Sequence, residues 1–368
     1  LLFLVPYVVN YEGSYRQEIE IARTMNEKYG PWISREDYEL MKADVPFEGK
    51  EMLDQLIPQI PEFAQAGIRD IKGLVLDETL STEEKTALWA ALNDAISLKI
   101  YEEPELASQM ITDGLELSYW SDYLETYREE VLDPPAEGTT YYTDLSEDQS
   151  RRVAERNRKE RDAILPMQVL ENHFEVLQFM APLMIICNIL LILPYMVREN
   201  NSRISGLLYT FPKGRRYFRG RFAAVFVSSL LLTLIFLAML AGIGAINKIY
   251  DFWNIPVSAF TSGFISWFPW TLGQLTMAAA GLSAAASIGA GLCTFVLTVR
   301  CGNYITAIAV QIPLILLGVL FGIFCTMRMT EITKNPFLSF GLAGGWLAVG
   351  LWGGLVMYGM EKRRDMPD

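Results

Sequence analysis

The chain divides into one long polar stretch and a series of long apolar runs, and this pattern predicts its main elements. No Asp, Glu, Lys or Arg occurs in 176–197, 222–247, 252–299, 301–327 or 335–360. A helix that crosses a hydrocarbon core of about 30 Å needs roughly 20 apolar residues, so four runs fit one span each. In the longest run the breakers Pro256, Gly263 and Pro269 predict an interfacial or shallow re-entrant segment over 255–269, followed by a span over 270–299.

The expected fold class is all-α: a membrane helix bundle of six spans with a large helical extracytoplasmic domain between spans one and two. The apolar residues 1–11 are too short to cross a bilayer and are interpreted as the end of a truncated first span. The end of the first span is predicted at 1–11 and the outer domain at 12–173. The second span follows at 174–197 and a cytoplasmic loop at 198–221. Spans three to six with a basic tail take up 222–364.

The polar stretch carries helical rather than alternating periodicity. Ser81 and Glu84 match a capping box, in which each side chain accepts from the other residue's backbone N–H. Ser34 with Asp37 predicts another helix start, and apolar residues at helical spacing follow these signals and recur further along. These residues are Ala87, Leu88, Ala91, Leu92, Ala95 and Ile96, then Leu106, Met110, Leu117 and Trp120. A charged helix from Ser146 is predicted to run into the second span, with Pro166 as a possible kink.

The charge is distributed very unevenly along the chain. Residues 11–173 hold 36 Asp and Glu against 17 Lys and Arg, whereas the other residues hold 7 against 14. The acidic part is interpreted as a solvated surface, a cation or basic-peptide site being the alternative. It carries no basic stripe for nucleic acid. Lys and Arg in the short loops number 11 on one side of the predicted spans and 3 on the other. The positive-inside rule therefore predicts that residues 12–173 lie outside, on the extracytoplasmic side.

Several kinds of chemistry are not expected. His173 is the only histidine, which argues against Ser/His or Cys/His catalysis, and no nucleotide-binding loop occurs. The four cysteines, none of them in the outer domain, lack zinc-site spacing. The charge-free spans offer no carboxylate for an ion relay. We expect no enzyme activity, no catalytic or metal site and no cofactor on this chain.

The segment 198–221 carries a family resemblance. It reads RENNSRISGLLYTFPKGRRYFRGR, with an acidic residue, a Gly, a Leu-Leu pair and a Pro-x-Gly-Arg turn before a final basic residue. This pattern resembles the cytoplasmic loop of type-2 permeases of bacterial ATP-binding-cassette (ABC) transporters, although Lys is commoner there than Arg221. The start of the fourth span (PWTLGQL, 269–275) and the short turn 299–303 are similar to the family as well. The resemblance covers residues 174–364.

The resemblance implies a multi-pass transport subunit of the bacterial plasma membrane that works with other chains. The partners would be a cytoplasmic ABC ATPase, which would hold ATP and Mg²⁺, a second permease subunit in a homo- or heterodimer, and the lipid bilayer. Export of an amphiphilic or hydrophobic peptide, lipid or drug is the expected activity. The loop residues expected to couple the permease to the ATPase are Glu199, Arg203, Gly206, Leu207, Leu208, Phe211, Pro212, Gly214, Arg215 and Arg216. The alternative for this loop is a positive-inside anchor on anionic lipid.

Three Gly-x-x-x-Gly patterns predict close helix packing, either within the subunit or between permeases. They pair Gly318 with Gly322, Gly341 with Gly345, and Gly350 with Gly354. Two other functions stay open. One is a non-transporting receptor or immunity protein that binds a ligand through its outer domain; the other, an ion-coupled carrier, is disfavoured by the charge-free spans.

Overall fold

A computed structural model describes residues 15–133, 145–201, 217–299, 301, 303–326 and 329–363, and the fold is given for these residues. They form helices joined by mostly short connections, and their β structure is limited to one isolated bridge between Ser266 and Glu331. The all-α prediction is therefore confirmed for the described part of the chain.

The chain separates into two compact units. The first, here called the polar unit, combines Glu12–Gln168 with the distant segment Asn254–Ile265. The second, here called the membrane unit, contains Val169–Trp253 and Ser266–Asp368. The segment predicted to be interfacial or re-entrant is thus divided, and most of it belongs to the polar unit.

The polar unit contains eight helices among its described residues. They are α1 (Arg16–Tyr29), α2 (Arg35–Asp44), α3 (Glu51–Leu56), α4 (Pro61–Ala66), α5 (Ile71–Leu76), α6 (Thr82–Lys99), α7 (Pro104–Tyr127) and α8 (Glu147–Lys159). Helix α7 packs against α1, α5 and α6, and the apolar faces of these helices bury Met25, Leu74, Leu92 and Leu117. The periodic apolar positions predicted for α6 and α7 thus supply part of this core.

In its described residues, the membrane unit contains five long helices. They are α9 (Met167–Asn201), whose first two residues group with the polar unit, α10 (Tyr217–Ile246), α11 (Leu272–Thr298), α12 (Tyr304–Phe321) and α13 (Pro336–Arg363). All five are long and apolar enough to cross a membrane, and they coincide with the five long apolar helices predicted from the charge-free runs. The predicted first span, of which residues 1–11 are interpreted as the end, lies outside the described residues.

Local sequence signals place several helix starts correctly. Ser34, Ser81 and Ser146 each accept a hydrogen bond from the backbone N–H three residues later, and each forms a complete capping box. Thr271 and Gln274 form a fourth capping box at the start of α11. Such reciprocal pairs satisfy N–H groups that an uncapped helix leaves without partners.

The prediction that the helix from Ser146 runs into the second span is wrong. Helix α8 ends at Lys159, and α9 begins at Met167, directly after Pro166. The Glu160 carboxylate turns back to accept two hydrogen bonds from Arg152, at 2.8 and 2.9 Å. This buried pair stabilises the break after Lys159, and Pro166 lacks the N–H that a continuous helix would need.

Helix α11 is the central helix of the membrane unit, where it packs against α10, α12 and α13. Glycines allow its closest approach: a Cβ on Gly289 would lie 2.7 Å from the Leu347 backbone nitrogen in α13. Asn188 of α9 donates to Ser287 of α11 at 2.5 Å and to Thr233 of α10 at 3.3 Å. Hydrogen bonds between helices hold membrane bundles together where apolar contacts alone are weakly specific.

Candidate functional site

The predicted coupling loop lies mostly outside the described residues. This applies to Arg203, Gly206, Leu207, Leu208, Phe211, Pro212, Gly214, Arg215 and Arg216. Of the predicted coupling residues, the structure describes Glu199, near the end of α9. Together with the first turns of α10, Glu199 defines what we call the loop base, the pair of helix ends that carries residues 202–216.

A buried ion pair joins the two helix ends at the loop base. The Nε atom of Arg221 lies 2.9 Å from Oε2 of Glu199, and only 4% and 7% of the two side chains are exposed. Tyr217 donates its hydroxyl proton to the same carboxylate. Glu199 and Arg221, near opposite ends of the family-like segment, are therefore ion-pair partners.

Aromatic side chains surround this ion pair and bring in two further helices. The Arg221 guanidinium lies 5.7 Å from the ring centre of Tyr217 and 5.8 Å from that of Phe295 in α11. Phe218 packs edge-on against Phe295, with ring centres 5.4 Å apart, and reaches Tyr358 of α13 at 6.3 Å. Four of the five long helices thus meet at the loop base.

The electrostatics of the loop base follow from its burial. Two charges removed from water are costly, and mutual attraction together with hydrogen bonds offsets that cost. The Tyr217 hydroxyl supplies a hydrogen bond, and the ring faces of Tyr217 and Phe295 favour the cation. Removing one member would leave the other charge buried without compensation. The ion pair therefore joins α9 and α10 at a buried position.

The predicted packing glycines fall into two groups. A Cβ on Gly318 would lie 2.6 Å from Ile185, and one on Gly350 would lie 2.8 Å from Leu292. A Cβ on Gly322 or Gly354 would lie still closer to Pro182 or Phe222. By contrast, a Cβ on Gly341 or Gly345 would meet no described atom within 4 Å. Within the described residues, two of the three patterns therefore make close helix contacts inside this chain.

We expect Gly354→Leu to destabilise the membrane unit, because the new side chain would overlap the ring of Phe222 at the loop base. Overpacking of this kind costs about 1–3 kcal/mol. The matched control is Gly341→Leu on the same helix, which has open space around it and should change stability by less than about 0.5 kcal/mol. Thermal unfolding of the two variants in the same detergent would measure the difference; equal melting temperatures would contradict it.

Several side chains in the membrane unit carry polar contacts that the sequence did not single out. Asn188, Thr233 and Ser287 were inconspicuous because they are uncharged and lie within apolar runs. His173 is buried, and its Nε2 lies 2.9 Å from the Thr276 hydroxyl. In the described part of the chain, no group of three or more His, Cys, Asp or Glu is placed to hold a metal ion.

Comparison with known proteins gives this chain no relative. No protein-family model matches it, no curated protein matches it, and no solved structure matches its fold. The functional assignment therefore depends on the residues of the chain itself.

Proposed function

We propose that this chain is the membrane-spanning permease subunit of an ATP-driven ABC exporter. The observation that carries the proposal is the buried pair of Glu199 and Arg221, which joins the helix ends on either side of a basic loop. A loop that only anchored the chain to anionic lipid would need exposed Lys and Arg, but no ion pair between the helix ends that carry it. A loop that an ATPase moves needs helix ends that move with it, and the ion pair at the loop base joins these two ends.

In this proposal a separate cytoplasmic ATPase binds residues 202–216 and moves them as it hydrolyses ATP. The apolar residues Leu207, Leu208 and Phe211 would pack on the ATPase, and Arg215 would pair with its acidic surface. The ion pair would pass the displacement to α9 and α10 together. Phe218, which packs on Phe295, would pass it to α11.

The arrangement of the subunit follows from the same proposal. The loop side is cytoplasmic because it carries most of the Lys and Arg of the short loops, and the polar unit is extracytoplasmic. Two permease subunits would enclose the path of an amphiphilic or hydrophobic substrate, and the polar unit would meet that substrate or cover its exit. ATP and Mg²⁺ would be held by the ATPase and not by this chain.

The test is co-expression of this chain with a candidate ABC ATPase from the same genome. We expect the two chains to purify together and Arg215→Glu to reduce the amount of bound ATPase at least tenfold, because the reversed charge would repel the acidic partner surface. The matched control is Arg151→Glu, an exposed charge reversal in the polar unit, which should leave the complex unchanged.

Absence of a complex with the wild-type chain, or equal ATPase recovery with Arg215→Glu, would contradict the proposal. A chain that binds no ATPase but binds a ligand through its polar unit would instead favour a receptor or immunity protein.

A further inference from the structure

The segment Asn254–Ile265, here called the passage, connects α10 to α11 along the chain and yet is part of the polar unit. It is an interior segment of that unit: Val257, Ser258 and Ala259 are fully buried, and Phe264 is 1% exposed. The polar unit is therefore joined to the long helices at the end of α10 and the start of α11, as well as at the start of α9.

Arg156 of α8 holds the passage through its backbone. Its Nε donates to the Ser258 carbonyl at 2.7 Å, and its second guanidinium nitrogen donates to the Ala259 carbonyl at 3.1 Å. The side chain is only 4% exposed, and Glu130 lies 3.7 Å from it as the nearest counter-charge. Burial lowers the pKa of Arg156 to about 10, which leaves the guanidinium protonated at neutral pH.

Two further attachments fix the passage next to the start of α9. The Phe260 backbone N–H donates to the Arg161 carbonyl at 3.0 Å. Thr261 accepts from the Leu165 N–H at 2.8 Å and donates to the Leu165 carbonyl at 2.7 Å. The passage is thus fastened to α8 and to the residues that lead into α9.

We propose that Arg156 is a positioning residue that fastens the passage, and that the passage transmits displacements of α10 and α11 to α8. The passage is covalently continuous with α10 and α11, and buried hydrogen bonds hold it to α8 and to the residues before α9. A displacement of α10 or α11 would therefore strain these hydrogen bonds. Arg156 forms two of these attachments, and both join the passage to α8. The inference does not depend on what drives the long helices, so it applies to a transporter and to a receptor alike.

The experiment displaces the long helices with the lipid. Apolar helices tilt or shift when the bilayer is thinner or thicker than their apolar length. The full chain is placed in nanodiscs of short-chain or long-chain phosphatidylcholine, and hydrogen exchange is followed by mass spectrometry in α8 and in the passage. Arg156→Met is compared with the wild type and with Arg152→Met, which removes a buried arginine of the same helix that pairs with Glu160 instead.

In the wild type we expect exchange in α8 to differ at least threefold between the two lipids. Arg156→Met should abolish this difference and raise exchange in residues 257–262 at least tenfold in both lipids, while Arg152→Met keeps the lipid response. If Arg156→Met does not fold, Arg156→Lys, which can donate to one carbonyl, should show a reduced response. The inference would be overturned if hydrogen exchange in α8 of the wild type were the same in both lipids. It would also be overturned if Arg156→Met kept the wild-type difference between the lipids.

Discussion

Reversing either charge of the loop-base ion pair should disrupt the membrane unit, and reversing both should restore it. In Glu199→Arg or Arg221→Glu, two like charges would face each other where both side chains are more than nine-tenths buried. Breaking a buried pair costs about 3–5 kcal/mol, because the remaining charge is neither paired nor hydrated. The double variant rebuilds an ion pair in the same place, and we expect it to recover more than half of the loss. Thermal unfolding of the purified chain measures these differences.

The control for this series is Arg219→Glu. Arg219 lies two residues away and contacts the Tyr358 ring at 4.9 Å, but its side chain is exposed. Its reversal should cost no more than about 1 kcal/mol. If the double variant were no more stable than the less stable of the two single variants, the two charges would act independently. In that case the loop base would not be the connection that the proposed function requires.

The second large effect is on the pH dependence of the polar unit and depends on Glu18. This carboxyl of α1 is 6% exposed; the Tyr123 hydroxyl lies 3.4 Å from it, and the Gln168 amide, oriented to donate, lies 2.7 and 3.0 Å away. Burial, with the nearby Asp122 charge, raises the pKa of Glu18 from 4.5 to about 7, against a smaller opposing effect of Tyr123.

The sign of the effect follows from this raised pKa. Between pH 4.5 and 7 the folded state keeps the Glu18 proton that the unfolded state has lost, so stability falls as pH rises. We expect Glu18 to lower the free energy of unfolding of the polar unit by about 2 kcal/mol between pH 5.5 and pH 8. Glu18→Gln should remove this part of the pH dependence, because the amide does not titrate. Hydrogen exchange in α1 and α7 of the full chain, corrected for the intrinsic effect of pH, measures it.

Glu27→Gln is the matched control, since Glu27 lies on the same helix and is exposed. It should retain the wild-type pH dependence. If Glu18→Gln shows the same fall in stability as the wild type, another group is responsible and Glu18 is ionised in the folded chain.

The sequence predicts those parts of the fold that depend on neighbouring residues. Charge-free runs reveal long apolar helices because bilayer thickness sets their length. Ser34, Ser81 and Ser146 mark helix starts because each finds its capping partner three residues later. Of the candidate site, Glu199 was identified by resemblance, and Arg221 was noted only as a departure from the usual residue.

Contacts between residues that are far apart in the sequence could not be predicted from local sequence signals. Nothing near Ser258 indicates that its carbonyl accepts from Arg156, 102 residues earlier. The apolar, Pro- and Trp-containing character of 255–269 suits a membrane interface as well as a protein interior. Phe295 and Tyr358 lie in runs where aromatic residues also face lipid. Only the folded chain shows which of these side chains meet at the loop base.

The composition of the polar unit from two separate stretches has a consequence for biosynthesis. When the ribosome has made residue 168, the unit still lacks the segment that fills its interior, and 85 residues containing α9 and α10 come first. The unit therefore completes its folding only after two long helices have been made and residues 254–265 have arrived. Until then Arg156 has neither of its backbone acceptors. In a chain that stops before the passage, the Arg156 side chain would therefore be exposed to solvent and to proteases.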